Sequence, residues 1–92
     1  MKNKTALKER DELYDALTKI ETKQEAKLFL EDLLSATELK TLSGRIHSAK
    51  LFLEGKTYME VIQETDISSA TLARVSKCVK ARKGYARILS KI

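Results

Sequence analysis

The amino-acid sequence predicts an all-α protein, because its composition, its capping signals and its apolar periodicity all favour helices. The chain of 92 residues contains no proline and only three glycines, so it lacks the residues that usually build the turns of a sheet. Leu, Ala, Glu and Lys, all strong helix formers, are abundant. A chain of this length holds a modest core. We therefore expect residues 1–92 to form a single helical domain.

Three capping boxes predict where helices begin. Thr22, Ser35 and Thr57 are each followed three residues later by a glutamate, so that hydroxyl and carboxylate can each accept a hydrogen bond from a free amide. Before the first box, apolar residues recur at helical spacing, which indicates a first helix. A serine at position 68 is a suitable cap for a later helix. Together these signals predict helices at about 5–21, 23–34, 36–55, 58–65 and 69–80.

The second and third predicted helices differ in their apolar faces. The second has too many large apolar residues for one stripe, so we expect it to bury more than one side. These residues are Leu28, Phe29, Leu30, Leu33 and Leu34. The third repeats apolar residues at spacings of three and four, which predicts that they lie on a single seam. The seam consists of Leu39, Leu42, Ile46, Ala49 and Leu53. Gly55 then suits the left-handed position that ends a helix.

Residues 58–80 have the layout of a helix-turn-helix, with two short helices joined by a tight turn. Four apolar residues are expected to close a small core between the helices. They are Val61, Ile67, Leu72 and Val75. Asp66 stands where such turns usually have a left-handed glycine, and aspartate tolerates that conformation at modest cost.

Charge is divided sharply along the chain. Residues 1–66 contain all 13 acidic residues and 11 of the 18 basic ones, a net charge of −2, whereas residues 67–92 contain seven basic residues and no acid. Clustered Lys and Arg favour a polyanion, because they displace the counterions condensed on phosphates. A solvated basic face would explain the charge alone. Its coincidence with a helix-turn-helix favours DNA.

The outward side of the second helix of the motif is the expected reading surface. Small and hydroxyl residues at its N-terminal end let a helix enter the major groove, while basic residues reach base edges or phosphates. The expected DNA-binding residues are Ser68, Ser69, Ala70, Thr71, Ala73, Arg74, Lys77, Lys80 and Lys83. An ordinary αα-hairpin is the alternative interpretation of the same spacing.

Three segments of the chain resemble the Trp repressor superfamily, in particular its uncharacterised Trp-repressor-related branch. They are Gly44-Arg45-Ile46, Leu53-Glu54-Gly55 and Ser69-Ala70-Thr71-Leu72-Ala73-Arg74. The resemblance implies six short helices and an intertwined homodimer, in which the first three helices and the last interlock with those of the partner.

The resemblance also implies a ligand pocket at Arg45, Arg74, Val75 and Cys78. In Trp repressors two arginines lie on either side of the corepressor indole, and Arg45 and Arg74 match them. Members that bind tryptophan have glycine and serine where this chain has Val75 and Cys78. The extra carbons of valine would overpack the indole site. A small-molecule corepressor fits the resemblance, but tryptophan is not expected.

Other kinds of site find little support. One cysteine, Cys78, and one histidine, His47, provide neither a disulfide nor a Cys/His metal site, and no nucleophile stands at a recognisable spacing from His47. We therefore expect no cofactor and no enzymatic activity. No apolar stretch approaches the ~20 residues of a membrane span, and the N-terminus does not resemble a signal peptide. A cytoplasmic location is expected.

Two functions stay open on the sequence. The first is a sequence-specific DNA-binding transcriptional regulator, expected to be a repressor, that binds double-stranded operator DNA as a homodimer. The alternative is a helical module that binds a protein or RNA through its basic C-terminal segment. Such a module would lose affinity with salt but show no preference among duplex sequences.

Overall fold

A computed structural model describes residues 2–92, with the side chains of residues 5–92. Across residues 2–92 it contains six α-helices and no strand, which confirms the all-α prediction. The helices are α1 (Lys2–Thr18), α2 (Lys23–Leu33), α3 (Ala36–Leu53), α4 (Tyr58–Glu64), α5 (Ser69–Lys80) and α6 (Gly84–Leu89). The chain forms two compact units, an N-terminal unit that ends at Ser35 and a C-terminal unit from Ala36 to Ile92.

The N-terminal unit consists of α1 and α2, and α1 ends three residues before its predicted end. The Thr18 hydroxyl donates to the Asp15 carbonyl at 2.7 Å, and the following amides bond three residues back instead of four, which tightens and closes the helix. Thr22 caps α2 as predicted, accepting from the Glu25 amide at 3.1 Å. The Glu25 carboxylate accepts from the amide of Glu21, at 2.9 Å, so the predicted reciprocal bond to the cap amide is replaced.

No side chain between residues 5 and 35 is buried. The expectation that α2 buries more than one side is therefore not met within the chain: Leu28 is 54% exposed and Leu33 is 48% exposed. Each of the two helices can cover only one face of the other. Among its described residues, the unit has no third element that could pack against the remaining faces.

The C-terminal unit is built on α3, which ends at Leu53, two residues before the predicted end at Gly55, and Gly55 takes the predicted left-handed position after the helix. The φ angle of Gly55 is +92°, in the region that favours glycine. The Lys56 amide donates to the Leu51 carbonyl and the Gly55 amide to the Phe52 carbonyl, both at 3.0 Å. This is the Schellman arrangement, and it satisfies carbonyls at the helix end while it directs the chain into α4.

Two buried clusters hold this unit together. One contains Ala49, Val75, Val79 and Leu89, and the other contains Leu51, Val61 and Leu72. Phe52 packs against both clusters, and Ile67 packs against the second. The four core residues predicted for the helix-turn-helix are thus confirmed as buried or half-buried.

The apolar seam of α3 is only partly covered within this unit. Leu42 and Ile46 are 39% and 42% exposed, whereas the buried residues of this helix are Ser48, Ala49 and Leu51. Helices α4 to α6 form their core with the later turns of α3, so apolar residues earlier in the same stripe stay open to solvent within this unit.

The turn of the helix-turn-helix corrects a second expectation. Among the non-glycine residues that the structure describes, only Arg82 has a positive φ, so Asp66 is not left-handed. Thr65 and Ser68 on either side of the turn are extended, with ψ angles of 157° and 154°. The chain bends at Ile67, and Asp66 needs no left-handed conformation.

Candidate nucleic-acid interface

The first helix of the motif, α4, is anchored at its start. Thr57 and Glu60 form the complete capping box: the Thr57 hydroxyl accepts from the Glu60 amide at 3.2 Å, and the Glu60 carboxylate accepts from the Thr57 amide at 3.0 Å. The ring of Tyr58 lies 6.3 Å from that of Phe52, and its hydroxyl donates to the Ser69 carbonyl at 3.1 Å. These contacts connect α4 to α3 and to the first turn of α5.

Close packing also holds the turn against α3. A Cβ atom placed on Gly44 would lie 2.8 Å from Cγ2 of Ile67. Only a residue without a side chain lets the turn approach this closely. Gly44 therefore sets the depth at which the helix-turn-helix sits on α3.

The N-terminus of α5 is capped by its own hydroxyl groups. Ser68 Oγ accepts from the Thr71 amide at 3.2 Å, and Ser68 donates to the Thr71 hydroxyl at 3.0 Å. Both residues were expected to bind DNA, yet both hydroxyls are already engaged in the cap. Thr71 is also half-buried, so in this structure it contributes to the helix cap.

The two sides of α5 differ as predicted. Leu72, Val75 and Val79 are buried, while the opposite side is exposed. We call the exposed N-terminal part of this side the readout face, and it consists of Ser69, Ala70, Ala73 and Arg74. Three of these side chains are small, so the helix axis can approach a flat or grooved partner closely.

Basic residues continue from the readout face to the end of α5 and beyond. Lys77, Lys80 and Lys83 are exposed, and within the described residues no carboxylate forms a salt bridge with them or with Arg74. Arg82, which the basic run of the sequence also predicts to contact phosphates, is exposed in a left-handed turn with φ of +55° and extends the same basic surface. These unpaired charges are free to meet phosphates.

A cavity of about 660 Å³ lies beside α5, between α3 and α6. Its lining is mostly apolar and includes Ile46, Ile88 and Leu89, and Arg74 and Cys78 also line it. The structure thus brings together two of the four residues expected around a ligand. The other two do not line this cavity: Val75 belongs to the core and is 2% exposed.

The fourth expected ligand residue, Arg45, is half-buried on α3. Its Nε is buried and makes no hydrogen bond with the residues that the structure describes. Across the same residues, no group of three His, Cys, Asp or Glu side chains could hold a metal ion. None of the described helices is long and apolar enough to cross a bilayer.

Comparisons with known proteins agree on one family. The family model described as Trp repressor protein matches residues 8–92. An uncharacterised protein, YerC of Bacillus subtilis (strain 168), is 33% identical over 72 residues, which are 78% of this chain and 69% of that protein. The crystal structure of a TrpR-like protein from Eubacterium eligens ATCC 27750 has a TM-score of 0.80 and 30% identity. That match covers 97% of this chain and 93% of the other.

Proposed function

The chain belongs to the Trp repressor family, a family of helix-turn-helix DNA-binding regulators, and from that premise we propose that it is a sequence-specific transcriptional repressor. The main support for this proposal is the readout face of α5. Its side chains are exposed and mostly small, and the face is continuous with unpaired basic residues. A helix of this kind enters the major groove by its N-terminal half. The partner we propose is double-stranded operator DNA.

The exposed residues of α5 divide into two proposed roles. Ser69, Ala70 and Ala73 lie where the helix would enter the groove, and Arg74 follows them on the same side, so these residues are proposed to meet base edges. Lys77, Lys80 and Lys83 are proposed to contact phosphates, together with Arg82. Base contacts discriminate among sequences, and phosphate contacts raise the affinity for every duplex.

The uncovered apolar surface of the N-terminal unit supports a homodimer. Five leucines of α1 and α2 are between 39% and 62% exposed: Leu7, Leu13, Leu17, Leu28 and Leu33. Apolar surface on this scale is favourable only when a partner removes it from water. A second copy is the proposed partner, because the family resemblance implies an intertwined dimer. Its two copies of α5 would lie about 34 Å apart, one turn of B-DNA.

The test is a selection from randomised duplexes with the purified protein, followed by binding measurements on the selected and a scrambled duplex across a salt series. Lys80→Ala and Lys83→Ala should weaken both duplexes alike and reduce the salt slope by about 1 each. Arg74→Ala should cost about 1–3 kcal/mol on the selected duplex and relax its sequence preference.

The sharpest variant is Ala70→Glu, which places a carboxylate on the readout face. Ala70 is the second residue of α5, where a negative charge favours the helix, so the fold should be kept while the selected duplex is lost. Gln24→Glu is the matched control, since it adds the same charge at the second position of α2. Equal loss on both duplexes, or no loss, would show that α5 does not read sequence. Salt-dependent binding without any selected sequence would favour the protein- or RNA-binding alternative.

A further inference from the structure

One hydrogen bond connects the two helices of the helix-turn-helix directly. The Tyr58 hydroxyl donates to the main-chain carbonyl of Ser69 at 3.1 Å, across eleven positions in the sequence. The other side-chain hydrogen bonds of α4 and α5 join residues only three or four positions apart, and therefore stabilise single helices and caps. Tyr58 thus acts between the elements.

The donor is held in place from its own side. Tyr58 directly follows Thr57, whose reciprocal bonds with Glu60 define the first turn of α4. Its ring rests near Phe52, at 6.3 Å between centroids and an angle of 32°. Phe52 packs against both buried clusters, so the ring of Tyr58 lies beside a side chain that the core holds in place.

The acceptor belongs to Ser69, the first residue of the readout face. In an α-helix the Ser69 carbonyl accepts from the amide of Ala73, and a carbonyl oxygen has two lone pairs, so it accommodates the phenol as well. Ser69 and Ala73 are both proposed to face the bases. A bond to the backbone between them therefore controls where this turn of the helix lies, without occupying the side chains that would contact DNA.

We propose that Tyr58 is a positioning residue for sequence readout, which holds the first turn of α5 in the register that base contacts require. The inference rests on the proposed function of α5. Long basic side chains tolerate a small shift of the helix because phosphate attraction has little directional demand, whereas contacts to base edges need hydrogen-bond geometry. Loss of the phenol should accordingly reduce specificity and spare general affinity.

The experiment compares the full chain with Tyr58→Phe, which removes the hydroxyl and keeps the ring on Phe52. The ratio of affinities for the selected and the scrambled duplex should fall about 2- to 10-fold, the net effect of one hydrogen bond. The affinity for the scrambled duplex and its salt slope should stay unchanged, and the thermal midpoint should fall by no more than a few degrees, the effect of one hydrogen bond on stability. Tyr85→Phe is the control, since the Tyr85 hydroxyl bonds to none of the described residues. An unchanged ratio in Tyr58→Phe, with a selective parent protein, would overturn the inference.

Amide hydrogen exchange without DNA separates this inference from the proposed function. Tyr58→Phe should speed exchange in the first turns of α5, above all at the amide of Ala73, and leave the amides of α3 unchanged. If the parent protein selects no duplex sequence, the proposed function fails. Amide exchange still tests whether the bond from Tyr58 stabilises the first turn of α5. Unchanged exchange at Ala73 would then refute the positioning role independently.

Discussion

At the scale of single residues, Gly44 has a role that its sequence context does not reveal. It lies inside the long helix α3, where glycine lowers helix stability by about 1 kcal/mol relative to alanine. The structure supplies the compensation, because only a missing side chain admits Cγ2 of Ile67. A lower helix propensity at Gly44 thus allows the turn of the helix-turn-helix to pack closely on α3.

Gly44→Ala should therefore destabilise the protein in spite of its better helix propensity. We expect a loss of about 1–3 kcal/mol in the free energy of unfolding, from a Cβ 2.8 Å from Ile67. Urea denaturation measures it. Gly84→Ala is the matched control: a Cβ there meets nothing within 4 Å, so a neutral result or a gain of up to about 1 kcal/mol is expected. A stabilised Gly44→Ala would show that the turn can move away freely.

Val75 decides the expectation for tryptophan. Its side chain is 2% exposed and belongs to the cluster of Ala49, Val79 and Leu89, so it cannot turn aside for an indole without opening the core. We expect L-tryptophan at millimolar concentration neither to bind in a calorimetric titration nor to raise the affinity for the selected duplex. Saturable binding at micromolar concentration would refute the steric argument. An anionic ligand held by Arg74 in the adjacent cavity is compatible with either result.

At the scale of elements, short helices depend on their ends. Helix α4 has only seven residues, too few to be stable by propensity alone. Its capping box gives hydrogen-bond acceptors to two amides at the helix start, those of Thr57 and Glu60. The pKa of the Glu60 carboxyl lies below its ordinary value. The largest cause is the hydrogen bond from the Thr57 amide, and the Thr57 hydroxyl is the second. Lys56, 4.0 Å away, acts in the same direction.

The lowered pKa of Glu60 predicts how stability depends on pH. A carboxyl with a lowered folded pKa stabilises the fold fully above its ordinary pKa, and the contribution disappears as pH falls through the lowered value. Glu60→Gln should therefore be less stable than the parent protein at neutral pH, with the difference shrinking in acid. Urea midpoints between neutral and strongly acidic pH test this. Glu64→Gln, at the other end of α4, should show no such loss, and a constant difference for Glu60→Gln would contradict the capping argument.

At the scale of the whole molecule, the chain presents a well-packed C-terminal unit and an N-terminal unit without a buried residue among positions 5–35. The single domain expected from chain length stays a prediction. In the proposed dimer, a second copy would supply the apolar contacts that two helices lack by themselves.

Sedimentation at low micromolar concentration should give twice the chain mass of 10.4 kDa. Leu28→Glu should lower the dimer fraction and the thermal midpoint together, because the charge enters apolar surface that the second copy is proposed to cover. Met59→Glu, on the exposed side of α4, is the control and should leave the mass unchanged. A folded monomer of the parent protein would exclude the intertwined dimer.

Local rules were sufficient for much of this protein. The cap at Ser68, the box at Thr57 and the left-handed Gly55 follow from the hydrogen-bonding needs of helix ends, which involve residues only a few positions apart. The same is true of the exposed and buried sides of α5, because helical periodicity separates them whatever packs against the helix.

Contacts between distant positions required the tertiary structure. The approach of Gly44 to Ile67, the bond from Tyr58 to Ser69 and the burial of Val75 depend on how separate elements meet, and spacing along the chain carries no such distance. The exposed Leu42 and Ile46 illustrate the same limit, since periodicity indicates which residues share a face and only packing determines which part of that face is covered. Sequence thus determined the helices and the charge of this protein, while its tertiary structure decided where α5 is held.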